Sequence, residues 1–136
     1  MTEINTQTYN DEHILFYLSG EASDEKVIEM AARMADVSHS LLTAIFVETS
    51  SKKGSDKNAE TLQKSSDLAK QTGALIATVN GSDIAYQISE YAKANNVTKI
   101  VIGYSVNKKV FGFCWENNID KITSLLMPNI EVYVVN

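Results

Sequence analysis

The sequence predicts an α/β fold, a five-stranded, doubly wound parallel sheet in a single domain. Two observations carry this. Short apolar runs of strand formers alternate with longer amphipathic stretches through five cycles, the succession that builds a parallel sheet with helical crossovers. Within those runs successive residues are apolar, as in strands covered by helices on both faces.

The polar stretch 1–12 has no apolar periodicity and reads as a linker or disordered lead-in, which places the domain at 13–136. His13 to Leu18 forms the first strand, stopping at Ser19-Gly20. Ser23 or Asp24 then caps a helix whose apolar face repeats as Val27, Ala31, Met34 and Ala35. Leu41 to Val47 is the second strand, and Ser50 to Lys57 is a polar loop containing a glycine. A second helix begins near Ala59 and turns Leu62 and Ala69 inward. Gly73 follows it where a helix C-terminus favours positive φ. Ala74 to Val79 is the third strand, closed by the turn signal Asn80-Gly81.

Ser82 caps the third helix, whose inward face reads Ile84, Ala85, Ile88, Tyr91 and Ala92. Thr98 to Ile102 is the fourth strand and stops at Gly103. The fourth helix starts near Asn117, carries Ile119, Ile122 and Leu126 on one side, and ends before Met127-Pro128. Ile130 to Val135 is the last strand. Ligands of such sheets bind at the carboxyl ends of the strands. That gathers Ser19-Gly20-Glu21, Glu48-Thr49, Asn80-Gly81 and the stretch from Gly103 to Asn117 around one crevice.

Composition narrows the function classes. The 12 Lys and Arg against 17 Asp and Glu leave a net charge of −5, the wrong sign for a nucleic-acid binder. No apolar run approaches the roughly 20 residues that span a bilayer, so no membrane contact by this segment is expected. The N-terminus lacks the basic-then-apolar order of a signal peptide. Cys114 stands alone, so a reducing cytoplasm is the expected setting, and the residue reads as a small half-buried hydrophobe. His13 begins a strand and His39 lies in a connection, neither spaced to work with a carboxylate or thiol. There is no metal-ligand spacing, no Walker-type loop and no nucleophile elbow around Ser19. No residue is assigned a catalytic role. Phe111, Phe113 and Trp115 alternate after the fourth strand. In an extended segment they would share one side, as a lid over the crevice or as a docking patch.

Four stretches carry a family resemblance: His13-Ile-Leu-Phe-Tyr-Leu-Ser-Gly20, Ala31-Ala-Arg-Met-Ala35, Leu42-Thr-Ala-Ile-Phe-Val-Glu-Thr49, and Asn96 to Gly103 followed by Ser105. Over His13 to Val135 they resemble a universal stress protein domain, most of all the version inside Kdp-type potassium-sensing histidine kinases. The resemblance implies an adenine nucleotide alpha hydrolase-like sheet of order 3-2-1-4-5. It also implies a phosphate site, made in nucleotide-binding members by a glycine, a second glycine three residues on and, after nine intervening residues, a Gly-Ser or Gly-Thr pair. Here Gly103 holds the first position, Val106 the second, and Glu116-Asn117 the final pair. Two of the close backbone approaches are thereby lost, and a carboxylate falls where phosphate belongs. Glu116 and Asn117 read instead as capping residues, with Asn117 as N-cap and Asp120 three residues later. Lys108 and Lys109 are the cations nearby, read as solvated or as neutralising an anion.

Some Kdp-type stress domains are associated with cyclic di-AMP through a pattern Ser-any-Ser, twenty residues, then Phe-Thr-Ala-any-Tyr. In this chain Ser19 matches the first serine and Glu21 replaces the second. Leu42 replaces the Phe, Thr43 and Ala44 match, and Phe46 replaces the Tyr. A lost donor and a gained carboxylate both oppose a dianion. Weak or absent binding is expected for cyclic di-AMP as for ATP.

The candidate crevice is therefore Ser19, Gly20, Glu21, Thr43, Gly103, Ser105, Lys108, Lys109, Glu116 and Asn117, with ATP and cyclic di-AMP disfavoured by Val106, Glu116 and Glu21. The resemblance implies a non-catalytic cytoplasmic regulatory or sensory domain of a potassium- or osmotic-stress two-component sensor histidine kinase. Its nucleotide pocket would be degenerate, its partners the other domains of the kinase, and its parent anchored in the inner membrane. The start of the chain and its end on the last strand fit an excised domain and a short stand-alone protein alike. The alternative is a stand-alone universal stress protein binding ATP, AMP or cyclic di-AMP. A third reading is a structural unit that dimerises through Ile130 to Val135, an apolar strand at a sheet edge.

Overall fold

The computed structural model describes residues 12–19, 24–48, 56–103, 109–110, 113–126 and 129–135. The chain runs β1 (His13–Tyr17), α1 (Asp24–Ser38), β2 (Leu41–Glu48), α2 (Asp56–Gln71), β3 (Leu75–Asn80), α3 (Ile84–Ala94) and β4 (Lys99–Gly103). The short strands β5 (Lys109–Val110) and β6 (Phe113–Cys114), the helix α4 (Trp115–Leu126) and the strand β7 (Glu131–Val135) complete it. The main sheet has the order β3-β2-β1-β4-β7, every pairing parallel. This is the expected 3-2-1-4-5, with the last strand of the chain in fifth place. The two short strands form a separate antiparallel pair, Lys109 opposite Cys114 and Val110 opposite Phe113.

Alternation along the strands divides the interior into two cores. Leu15, Tyr17, Ile45, Val47, Ile100 and Ile102 pack with Ile84, Ala85, Ile88 and Ala92 of α3 and Ile122 and Leu126 of α4. Ile14, Phe16, Leu42, Ala44, Phe46 and Val101 pack on the opposite face with Val27, Ile28, Ala31 and Ala35 of α1 and Ala69 of α2. The central strands are covered on both faces. The edge strands β3 and β7 are not, and Leu75 and Val134 stay 66% and 44% exposed. Gly73 adopts φ +90° after α2, the left-handed conformation expected of it.

Three local expectations are corrected. The N-cap of α3 is Asp83, whose carboxylate accepts the Tyr86 amide; Ser82 lies one residue too early to reach it. The second helix opens at Asp56, three residues before Ala59, so Asp56 and Lys57 belong to helix and not to the loop. The last helix opens at Trp115, which puts Glu116 and Asn117 inside its first turn and ends any extended alternation at Cys114. Phe111, the third member of that aromatic trio with Phe113 and Trp115, lies outside the described residues.

At the amino-terminal pole of the sheet the entering chain is held by polar contacts. The Glu12 carbonyl accepts the Leu41 amide. Its carboxylate accepts the Thr98 hydroxyl at 2.6 Å and pairs with the Lys99 ammonium at 2.7 Å. His13 joins the same pole, its Nδ1 3.0 Å from the Asn95 carbonyl oxygen and its Nε2 2.8 Å from the Thr43 hydroxyl. The Lys99 ammonium, and after it the Thr98 hydroxyl, hold Glu12 below the usual carboxylate range. A carboxyl group depressed on folding contributes stability above its unfolded ionisation range and loses it as pH falls through the folded one. Glu12→Gln is therefore expected to lower stability at pH 7 by about 0.2–1 kcal/mol. The difference from the native chain should vanish on acidification below about pH 3. Urea unfolding of both proteins at neutral and acid pH checks this, and an undiminished gap in acid would contradict it.

Candidate functional site

In this strand order the chain moves outward from β1 through β2 to one edge and from β4 to the other, so the topological switch point lies between β1 and β4. The carboxyl ends of those strands, Ser19 just past β1 and Gly103 closing β4, flank the crevice where such sheets take ligands. Glu48 and Asn80 end β2 and β3 on the same side, tied by the Gly81 amide bonding to the Glu48 carbonyl at 3.1 Å.

The centre of this pole is Asp24. It is the first residue of α1, where the helix N-terminus favours a negative charge, and it is only 3% exposed. Its Oδ1 accepts the Ser19 amide at 3.0 Å and the Ser19 hydroxyl at 3.0 Å. Its Oδ2 accepts the hydroxyl of Ser65, from the middle of α2, at 2.8 Å. A carboxylate this buried is tolerated because donors replace its water. The result is a clasp joining the turn after β1, the start of α1 and the side of α2. Its consequence for ligands is direct: the Ser19 hydroxyl proton points at Asp24, away from any anion that enters.

Asp83 stands at the same pole on the opposite face of the sheet, at the start of α3. It caps α3 through the Tyr86 amide at 3.1 Å and pairs with Lys121 of α4. The Lys121 ammonium, then the Tyr86 amide, hold its carboxyl below the usual range. Among the side chains described at this pole, Asp24, Glu25, Glu48 and Asp83 are carboxylates, against Lys26 and the already paired Lys121. That balance opposes a phosphate.

The ten sequence-predicted residues divide. Ser19 and Gly103 lie at the carboxyl ends of β1 and β4. Thr43 stands apart from it, in the amino-terminal half of β2 level with Leu15 and Leu75. There it is 1% exposed and bound to His13. Gly20, Glu21, Ser105 and Lys108 lie outside the described residues, as does Val106. Lys109, Glu116 and Asn117 are placed by their backbone alone, in β5 and the first turn of α4. The pattern reading missed Asp24 as a site residue, taking it for a cap, and missed Ser65 altogether. Ser65 sits 41 residues away in a polar helix, and nothing local distinguishes it from its neighbours. Among the described residues no group of three or more His, Cys, Asp and Glu is placed to hold a metal. No described helix is long and apolar enough to cross a membrane.

With this geometry in hand, comparison with solved structures identifies the fold class. A universal stress protein in complex with cAMP matches with a TM-score of 0.66 at 16% identity, over 92% of this chain and 96% of that one. The universal stress protein from Archaeoglobus fulgidus matches with a TM-score of 0.67 at 17% identity, over 92% and 98%. The chain is a domain with the universal stress protein fold. No family model matches it. In sequence it is 40% identical, over 91% of its length, to the sensor protein KdpD of Clostridium acetobutylicum, and it spans 14% of that protein. It is thus similar to one segment of a much longer sensor.

If the clasp holds the pole together, Ser65→Ala should lower stability by about 1.5–3 kcal/mol, the usual worth of a buried hydrogen bond to a charged group. Gln63→Ala, which removes an exposed bond to Asp67 on the same helix, should stay within about 0.5 kcal/mol. Chemical denaturation of the two variants compares them directly, and equal losses would count against the clasp.

Proposed function

We propose that this domain is a non-catalytic regulatory module of a KdpD-type sensor histidine kinase, acting in the cytoplasm through contacts with neighbouring parts of the sensor. The observation that carries the reading is the 40% identity across 91% of the chain to a protein of which that match covers only 14%. Within the crevice two features support a regulatory role without nucleotide. The Ser19 hydroxyl is turned to a buried carboxylate, and the glycine positions of a phosphate loop are held by Val106 and by Glu116-Asn117.

A second reading keeps its own support. One structural neighbour holds cAMP, so a stand-alone stress protein that binds an adenine nucleotide remains the competing function.

A segment exchange tests the first reading. The matching segment of the Clostridium acetobutylicum sensor would be deleted in one form and replaced by this domain in another, and autophosphorylation followed with and without the sensor's stimulus. Restored stimulus dependence in the exchange, with loss of it in the deletion, is the expected outcome. A deletion that responds like the intact sensor would overturn the regulatory role.

A further inference from the structure

The placement of Asp24 goes further than a clasp. We propose that its carboxylate is an internal anion: it occupies the donors that Ser19 and Ser65 would otherwise present to a phosphate, and so determines the ligand class of the crevice. This rests on the reading of the crevice as one that does not take nucleotide.

Among the described residues, the Ser19 amide, the Ser19 hydroxyl and the Ser65 hydroxyl converge on the carboxylate. With the N-terminus of the fifteen-residue helix α1 behind them, they form the neutral donor array that elsewhere grips phosphate oxygens. A neutral cap such as serine or asparagine could end the helix without burying a charge. Asp24 instead carries a charge at 3% exposure, which is tolerable only because both its oxygens are bonded. While it does so, an incoming anion finds the Ser19 donors already engaged and meets a like charge a few ångströms away.

Asp24→Asn separates this role from a purely structural one. The amide keeps the shape, but without charge its oxygen accepts far more weakly than a carboxylate, so the fold is retained while an added anion can compete for the Ser19 and Ser65 donors. Native and variant chains would be titrated with millimolar inorganic phosphate at constant ionic strength, following the Ser19 amide in ¹⁵N–¹H spectra and the unfolding midpoint. The expected result is a silent native chain, with saturable shifts at Ser19 and a midpoint raised by several degrees in the variant. A native chain that itself shifts saturably would overturn the nucleotide-free reading. Silence in both proteins would leave that reading standing and overturn the internal anion. Should Asp24→Asn unfold, rescue of its fold by phosphate supports the proposal and failure of rescue counts against it.

Discussion

The structure depends on β1 being sealed on every side. Its neighbours β2 and β4 satisfy its backbone in parallel register. Its side chains from Ile14 to Phe16 are fully buried, alternately into one core and the other. A strand in that position must be apolar throughout, which is why the run from Ile14 to Leu18 has no polar residue. It also fixes where the chain can do anything chemical. The first polar residue after β1 emerges at the switch point, and that residue is Ser19. Burying β1 therefore delivers Ser19 to the crevice whatever the crevice is used for.

What the chain does with that position sets this domain's chemistry. The stress-protein fold offers a ligand place at the strand ends, and a structural neighbour is known with cAMP. Here Ser19 is held to Asp24, and α2 is tied to the same carboxylate through Ser65. A site that closes on its own carboxylate retains the architecture of a binding domain but presents different chemistry to the outside. On the proposed reading, such a domain acts through its surfaces and its packing.

The fold was legible because each level of the sequence agreed with the next. The runs around Phe16, Ile45 and Ile100 had strand length and two-sided apolarity, Gly73 marked a helix end, and the helix faces named for α1 and α3 are the faces that pack. Boundaries were less legible, because caps compete over one or two residues: Asp83 rather than Ser82 reaches the Tyr86 amide. The site was legible only in part. Ser19 and Gly103 followed from strand ends, a local signal. Thr43 entered through a family pattern, but its level on β2, facing His13, is decided by sheet register. Asp24 and Ser65 escaped because a clasp between residues far apart in sequence leaves no periodicity behind, and a polar residue at a helix start reads first as a cap.

The central claim is that the crevice refuses anionic nucleotides. Isothermal titration calorimetry of the native 136-residue chain with ATP and with cyclic di-AMP tests it most directly. The account predicts no saturable heat from either ligand up to millimolar concentration. Saturable binding in the low micromolar range, equivalent to about −7 to −8 kcal/mol, would contradict it and make this a nucleotide or messenger receptor.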